Sequence, residues 1–277
     1  MRIIVFGSTG MLGRYVYEYF SRRHYDVIGS TRKDIDVSNT SKVEIMARGL
    51  RSSDVVINCA GLIKQRKNVS TLDFVMVNTA FPHQLSAACK AVGCGLIHIT
   101  TDCVFSGGLG SYTEDSVHDE TDIYGRSKSL GEPEDATVIR TSIIGEELTG
   151  FLSLLEWVKS NAGKEVKGYT DHFWNGITCL QFAEICEYII EKKLFWKGVK
   201  HVFSPEVVSK YELVKLISKV YDLNVSVIGH ETGTICDKSL ATVREDVSID
   251  VPELERQLII MKQFGGYKNV RNTTHER

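Results

Sequence analysis

Short apolar segments alternate with longer amphipathic ones through about residue 145. The short segments are nearly continuous and rich in β-branched residues, as expected of strands buried on both faces. They predict strands at Ile3–Phe6, Asp26–Gly29, Val55–Asn58, Leu96–Thr100 and Thr137–Arg140. The intervening segments predict helices at Met11–Arg23, Lys42–Arg48, Thr71–Val92 and Tyr124–Leu130. This alternation predicts the α/β class, with a Rossmann-type, doubly wound parallel sheet.

The second half continues the pattern less regularly. It predicts helices at Phe151–Asn161, Cys179–Lys193, Lys210–Tyr221 and Pro252–Phe264, and strands at Lys200–Phe203 and Val225–Ile228. We see no linker-like tract between the halves. We therefore expect residues 1–150 to form a dinucleotide-binding domain and residues 151–277 a smaller α/β substrate-binding region packed on it, with the option of returning a strand to the first sheet.

Composition narrows the classes of function. The 277 residues carry 33 Lys+Arg and 35 Asp+Glu, a net charge of −2, which argues against nucleic-acid partners. No apolar run reaches the ~18–20 residues of a membrane span, and the first apolar segment is too short for a signal peptide. The seven cysteines are irregularly spaced, which argues against a disulfide framework or a metal site. We expect a cytoplasmic protein without a membrane partner or bound metal.

A glycine motif joins the first strand to the first helix. Gly7, Gly10 and Gly13 have the spacing Gly-x-x-Gly-x-x-Gly at a strand-to-helix turn. Glycines there permit a tight turn, close approach of a pyrophosphate, and close packing of helix on strand. The unpaired N–H groups of the helix N-terminus face the anion. The motif in this context predicts a dinucleotide cofactor.

The end of the second strand favours NADP over NAD. An NAD site usually has an acidic residue there, whereas this chain has Arg32, whose planar guanidinium suits a 2′-phosphate. Solvated loop charges at Arg32 and Lys33 are the alternative. From the motif and the ends of the second and third strands, we expect cofactor contacts from Gly7, Ser8, Thr9, Gly10, Met11, Leu12, Thr31, Arg32, Asp36, Val37, Cys59, Ala60 and Gly61.

A Tyr and a Lys begin the helix that follows the fourth strand. Tyr124 and Lys128 are four residues apart and so lie on one helix face. A nearby ammonium is expected to lower the pKa of a phenol and make it a proton donor or acceptor near neutrality. Thr101, at the end of the preceding strand, can hydrogen-bond the same substrate oxygen.

These motifs, together with Thr100–Phe105, Tyr124–Glu132 and Arg140–Ser142, resemble the extended short-chain dehydrogenase/reductases, and within them the dTDP-4-dehydrorhamnose reductase branch. The resemblance implies NADPH-dependent reduction of a nucleotide-linked 4-keto-6-deoxy sugar by a triad of Thr101, Tyr124 and Lys128. It implies that Tyr124 and Lys128 also contact the cofactor, and that Asn78 supports the site. It further implies substrate contacts at Val104 and Phe105.

Cys103 departs from that branch, which usually has Tyr at this position. A Cys there resembles GDP-fucose synthase and the bifunctional 3,5-epimerase/4-reductases of UDP-rhamnose formation. In GDP-fucose synthase that Cys works with a His about forty residues beyond the triad Lys, and this chain has His172. A 4-ketone acidifies the C–H bonds at C3 and C5, and inversion needs an acid and a base, which Cys and His supply near neutral pH. A small buried thiol and a hydrogen-bonded loop histidine are the alternatives.

Trp174 and Asn175, which follow His172 closely in the chain, are candidates for the substrate pocket. Trp174 can stack on a base or sugar face, and Asn175 can bind a hydroxyl or amide. A core or surface aromatic is the alternative for Trp174.

The sequence therefore predicts an NADPH-dependent epimerase/4-reductase that inverts C3, with C5 as a second candidate. UDP is the preferred nucleotide, and a 2-acetamido sugar is an option. Two other functions stay open: a 4-reductase without epimerase activity, and a regulatory subunit resembling the methionine adenosyltransferase β subunit. Extended members of the family often form homodimers, which we expect here.

Overall fold

The computed structural model describes residues 1–66, 68–147 and 150–272, the last seven of them by backbone alone. Its centre is a six-stranded sheet in the order β10-β5-β4-β3-β1-β2, and every strand pairing in it is parallel. The strands are β1 (Arg2–Phe6), β2 (Asp26–Ser30), β3 (Val55–Asn58), β4 (Gly95–Thr101), β5 (Thr137–Thr141) and β10 (Gly198–His201). The strand order reverses at β1, as in a doubly wound fold, so the predicted fold class is confirmed.

Most helices agree closely with the periodicity of the sequence, but the last one ends eight residues beyond its predicted end at Phe264. The helices are α1 (Met11–Arg22), α2 (Thr40–Ala47), α3 (Thr71–Phe74), α4 (Phe81–Val92), α5 (Ile123–Ser129), α6 (Leu154–Ser160), α7 (Cys179–Lys192), α8 (Lys210–Tyr221) and α9 (Leu254–Asn272). α6 begins three residues later than predicted because Ser153 caps it by accepting a hydrogen bond from the backbone of Glu156.

The predicted helix Thr71–Val92 is interrupted. Residues Val75–Ala80 form a π-helical turn between α3 and α4, and the predicted single α-helix is wrong at this point. π-turns are frequent at functional sites because the extra residue redirects one side chain. Here the turn contains the buried Asn78.

The second half has small sheets, of which the sequence predicted only one strand, Val225–Ile228, close to the observed Ser226–His230. β7 (Glu165–Tyr169) pairs with β12 (Ser226–His230), and β8 (His172–Trp174) lies between β11 (Val208–Ser209) and β13 (Cys236–Asp237). β6 (Ile143–Ile144) pairs with β9 (Ile177–Thr178). Strands of two or three residues are too short to show an alternating pattern.

The two halves share a hydrophobic core. Tyr15 and Phe20 of α1 belong to the same buried cluster as Phe182 and Ile189 of α7. β10, from the second half, pairs with β5 at the edge of the central sheet, two residues earlier in the chain than predicted. The domain boundary at residue 150 stays a prediction. Within the described ranges, no helix combines the length and apolar character needed to cross a membrane.

Candidate active site

The glycine motif forms a tight loop at the carboxyl edge of the sheet. Gly7 has φ +75°, and a Cβ on it would lie 2.9 Å from the Ala60 Cα; a Cβ on Gly13 would lie 2.2 Å from the Gly7 carbonyl oxygen. Neither position admits a side chain. Gly10, before α1, makes no side-chain cap and is exposed, so the helix N-terminus stays open to an anion. This cradle fits the pyrophosphate of a dinucleotide.

The other predicted loop residues fall into two groups. Thr9 is exposed and Met11 half-buried, but Leu12 lies in the core, so a cofactor would meet its backbone. Ser8 is bound by its backbone N–H and its hydroxyl to the Ser30 carbonyl. Gly29, which no motif indicated, leaves room for the Ser8 side chain, because a Cβ on Gly29 would lie 2.9 Å from the Ser8 Oγ.

The loop after β2 leaves Arg32 exposed. Thr31 donates from its backbone and hydroxyl to Asp34, and Asp36 accepts from the Ser38 hydroxyl at 2.7 Å. Hydrogen bonding from Ser38 lowers the pKa of Asp36, with a further contribution from Arg32. Val37 packs against the core beneath the loop. Arg32 is thus an exposed cation at the position predicted to select NADP.

The loop after β3 is tied to the π-turn. Cys59 donates from its backbone to the Phe6 carbonyl, and Asn58 accepts from the Ala60 N–H. Asn78 bonds both the N–H and the carbonyl of Leu62, and its Nδ2 also donates to the Ser127 Oγ. A Cβ on Gly61 would lie 3.5 Å from the Asn78 Oδ1. Asn78 therefore joins this loop to α5.

The three triad residues lie together at the end of β4. The Tyr124 phenol lies beside the Thr101 hydroxyl, and Lys128 donates from Nζ to the Ile99 carbonyl at 2.9 Å. Burial raises the pKa of Tyr124, and the neighbouring Cys103 adds to this, so the predicted lowering by Lys128 is wrong. Burial lowers the pKa of Lys128 to about 8. Tyr124 is a protonated phenol at neutral pH.

Two glycines within the Tyr124–Glu132 motif, to which the sequence analysis assigned no role, allow α5 to approach its neighbours closely. A Cβ on Gly125 would lie 2.4 Å from the Cys103 carbonyl oxygen and 2.4 Å from the Glu120 Cγ. A Cβ on Gly131 would lie 1.8 Å from the Asn78 carbonyl oxygen. These close approaches place α5 against Cys103, just after β4, and against the π-turn that contains Asn78.

Cys103 follows Thr101 in a single 3₁₀ turn, and its N–H donates to the Thr101 Oγ1 at 3.1 Å. Burial raises the pKa of the thiol to about 12, and the Asp102 carboxylate adds to this, although Lys238 and Lys64 oppose it. The expectation that this thiol titrates near neutrality is wrong. Cys103 is protonated and therefore suited to donate a proton.

His172 lies in β8 rather than in a loop. Its Nε2 is 3.3 Å from the Thr232 Oγ1, and its ring contacts Tyr169. It lines a cavity of about 550 Å³ with Tyr169, Thr232, Thr234, Ile235, Cys236, Ser106, Gly107 and Gly108. Among the described residues, no hydrogen bond joins His172 to Cys103, and Cys236 is the cysteine in register with it.

The four predicted substrate residues are buried. The rings of Phe105 and Tyr112 stack at 4.2 Å in a cluster that also contains Val104. The Trp174 ring is in the core, 4% exposed, with the Lys210 ammonium 5.1 Å above it. The Asn175 amide is committed to the N–H and carbonyl of Leu240. This burial disfavours the predicted side-chain contacts with substrate and favours the core alternative for Trp174.

Two lysines near Cys103 were not predicted. Lys238 pairs with Glu120 at 3.3 Å, and the charges of Asp102 and Cys103 act on both Lys238 and Lys210. Their only sequence signal is their position near the ends of β11 and β13, which were themselves not predicted.

Comparison with solved structures gives the same fold. The dTDP-4-dehydrorhamnose reductase of Bacillus anthracis, solved in complex with NADP, superposes with a TM-score of 0.78 over 94% of this chain and 98% of that one, at 22% identity.

The sequence relatives include both reductases and regulatory subunits. A dTDP-4-dehydrorhamnose reductase of Mycolicibacterium smegmatis is 36% identical over 151 residues, which is 51% of this chain but only 45% of that protein. The methionine adenosyltransferase 2 subunit beta of Xenopus tropicalis is 24% identical over 80% of this chain and 72% of its own length. The model of the RmlD substrate binding domain matches residues 1–238, and the chain belongs to that family.

Proposed function

We propose that this protein is an NADPH-dependent 4-reductase of a nucleotide-linked 4-keto-6-deoxyhexose. The observation that carries the proposal is the group of Thr101, Tyr124 and Lys128 at the carboxyl edge of the sheet that also holds the glycine loop. The charge of Lys128 acts on Cys59, whose loop packs against Gly7, so the triad and the cradle are adjacent. The relatives named as dTDP-4-dehydrorhamnose reductases support the same function.

The residues have complementary roles in the reduction. When bound, NADPH supplies the hydride for C4. Tyr124, a neutral phenol, donates its proton to O4, and the Thr101 hydroxyl binds the same oxygen. Lys128 uses one N–H for the Ile99 carbonyl and keeps its other protons for cofactor hydroxyls. Arg32 would hold the 2′-phosphate from the exposed loop.

The test measures NADPH oxidation with UDP- and dTDP-linked 4-keto-6-deoxyhexoses. Tyr124→Phe removes the proton donor and should lower kcat by at least about 100-fold without weakening NADPH binding. Tyr211→Phe is the matched control, because among the described residues the Tyr211 hydroxyl has one hydrogen bond, accepted from the Lys215 ammonium at 3.4 Å. A Tyr124→Phe variant with wild-type kcat would refute the proposed role.

We further propose that the enzyme inverts C3, with C5 as a second candidate, before reduction. Cys103 and His172 would exchange protons with the sugar ring while Thr101 and Tyr124 bind the enolate oxygen. The position of Cys103 two residues after Thr101 supports this, whereas the rival is a 4-reductase that accepts an already epimerised sugar. UDP stays our preferred nucleotide.

Solvent exchange separates the two enzymatic alternatives. In D₂O without NADPH, the epimerase should incorporate deuterium into the 4-keto sugar and invert the carbon that carries it, and Cys103→Ala should abolish the inversion while leaving reduction active. Cys94→Ala is the control, because Cys94 lies just before the amino end of β4, whereas Cys103 lies just after its carboxyl end. A wild type that neither exchanges nor inverts would favour the rival, and unchanged inversion in Cys103→Ala would contradict the role of Cys103.

The relatives among methionine adenosyltransferase β subunits keep a regulatory function in view. Tight NADPH binding without oxidation by any 4-keto sugar nucleotide would favour that function. The intact triad supports the enzyme.

A further inference from the structure

Asp171, Thr232 and His172 form a chain of polar contacts at the cavity described above. Asp171 Oδ2 accepts from the backbone N–H groups of Thr232 and Gly233 and from the Thr232 hydroxyl at 2.8 Å. The Thr232 Oγ1 is in turn 3.3 Å from the His172 Nε2. The loop carrying Thr232 is thereby fixed against the strand carrying His172.

The hydroxyl has only one proton, and it is committed away from the imidazole. Both other acceptors within reach, Asp171 Oδ2 at 2.8 Å and the Thr234 carbonyl at 3.0 Å, compete for that proton. Towards His172, therefore, the Thr232 Oγ1 acts as an acceptor, and the ring proton sits on Nε2. Nδ1 is left with a free lone pair, and among the described residues no hydrogen bond engages it.

Asp171 adds charge to this arrangement. Burial disfavours its ionised form, but the hydrogen bonds from Thr232 and Gly233 prevail and hold its pKa below the usual range. Its second oxygen, Oδ1, is buried without a hydrogen-bond partner in the described part of the chain and lies 4.0 Å from the His172 Nε2. Asp171 thus fixes the Thr232 hydroxyl against the ring and places a carboxylate oxygen beside the His172 Nε2.

Cys103 has the opposite tendency, since its buried thiol keeps its proton. We propose that Asp171 and Thr232 are positioning residues that orient His172 as the base of the epimerisation, with Cys103 as the acid on the other ring face. This inference rests on the proposed epimerase function. It names which residue removes the proton and two residues that no motif indicated.

The proton transfers balance. His172 Nδ1 takes the proton from the carbon next to the ketone, and the C–H electron pair moves into the carbonyl to give an enolate. The enolate electrons then return to carbon as the Cys103 Sγ–H bond supplies a proton from the opposite face. Imidazolium and thiolate remain, and proton exchange with water restores both groups.

The tautomer of His172 is testable without any substrate. In ¹⁵N-histidine-labelled full-length protein, long-range ¹H–¹⁵N NMR at alkaline pH should show His172 as the Nε2–H form, assigned by its loss in His172→Gln. Thr232→Val removes the hydroxyl and keeps the backbone bonds to Asp171, so it should give a mixture of tautomers. Thr232→Ser should restore the wild-type spectrum. An Nδ1–H form in the wild type, or an unchanged Thr232→Val, overturns the proposal.

Solvent exchange then tests the role of His172. With dTDP-4-keto-6-deoxy-D-glucose in D₂O, Thr232→Val should slow deuterium incorporation by about tenfold and Thr232→Ser should recover it. His172→Gln should abolish deuterium incorporation, whereas Cys103→Ala should keep incorporation and lose the inversion. The reverse pattern would make His172 the acid and overturn the assignment.

The epimerase function and the positioning roles fail in different experiments. A wild type that incorporates no deuterium contradicts the proposed epimerase and with it the base assignment. The NMR spectra test Asp171 and Thr232 as positioning residues separately, because they need no substrate.

Discussion

The side chain of Asn78 donates a hydrogen bond to the Ser127 Oγ, 3.1 Å away, and so links the π-turn to the helix that carries Tyr124 and Lys128. Asn78 also bonds both backbone groups of Leu62, in the loop expected to contact the cofactor. One buried amide thus fixes two walls of the candidate site relative to each other.

Asn78→Ala should reduce both stability and activity. The substitution leaves buried polar groups without partners, which should cost about 2–4 kcal/mol in the free energy of unfolding. Because α5 loses its anchor, kcat should fall by about tenfold as well. Urea unfolding and NADPH-oxidation assays measure the two effects.

Asn39→Ala is the matched control for that variant. Asn39 caps α2 by accepting from the Lys42 N–H, far along the chain from the triad, and its loss should cost about 1 kcal/mol with kcat unchanged. If Asn78→Ala lost stability but kept its kcat, Asn78 would be a purely structural residue.

The glycine loop predicts a variant that folds but does not bind cofactor. A Cβ on Gly10 would lie 3.3 Å from the Gly7 carbonyl, a contact that the fold can absorb, but the methyl group would occupy the anion-binding helix end. Gly10→Ala should raise the Kd for NADPH by at least about tenfold, or about 1.4 kcal/mol. Gly49→Ala is matched, with a 3.3 Å contact to the Met46 carbonyl, and should bind NADPH normally. If Gly10→Ala and the wild type had equal Kd values for NADPH, the pyrophosphate would bind elsewhere.

Arg32 should determine the preference for NADPH over NADH. Arg32→Ala removes a planar donor set suited to the 2′-phosphate, so KM for NADPH should rise by about tenfold or more while KM for NADH stays constant. Lys33→Ala, a change at the adjacent exposed cation, should affect neither. Steady-state kinetics with both cofactors distinguishes these outcomes, and an unchanged KM for NADPH in Arg32→Ala would assign Arg32 to the solvated loop.

A buried histidine should make the fold sensitive to acid. Burial, with the Arg140 guanidinium, lowers the pKa of His201 from 6.5 to about 4, and its Nε2 lies 2.8 Å from the Arg140 Nη1. The folded state therefore favours neutral His201, and its stability contribution is present above pH 6.5 and lost as the pH falls towards 4.

That contribution is on the order of 3 kcal/mol. His201→Asn should lower the stability at about pH 7.5 and flatten the decrease in unfolding free energy between pH 6.5 and 4, as measured by urea denaturation across that range. An equally steep decrease in the variant would show that other groups cause the acid sensitivity.

The central sheet and most of α1 to α8 could be predicted because long apolar segments with clear periodicity specify them. The strand Val55–Asn58 and the helix Lys210–Tyr221 agree with the structure at both ends. The sheet of β8, β11 and β13 could not be predicted, because these strands have only two or three residues each and depend on tertiary pairing. In the other small sheet of the second half, β12 was predicted at Val225–Ile228 and β7 was missed.

The candidate site divides in the same way. Thr101, Tyr124 and Lys128 are fixed by short local spacings, and the fold brings them together. The environment of Trp174, Asn175 and His172 depends on residues distant in the chain, such as Lys210, Leu240 and Thr232. Spacing in the sequence also says nothing about burial, which is why the raised pKa values of Tyr124 and Cys103 were not foreseen.

Epimerisation followed by reduction is tested most directly by the ¹H NMR spectrum of the product formed from dTDP-4-keto-6-deoxy-D-glucose, and from its UDP counterpart, with NADPH in D₂O. We predict a reduced sugar with hydrogen from NADPH at C4, deuterium at C3 and inverted configuration there. A reduced product without ring deuterium would contradict the epimerase, and the absence of any NADPH-dependent product would contradict the reductase itself.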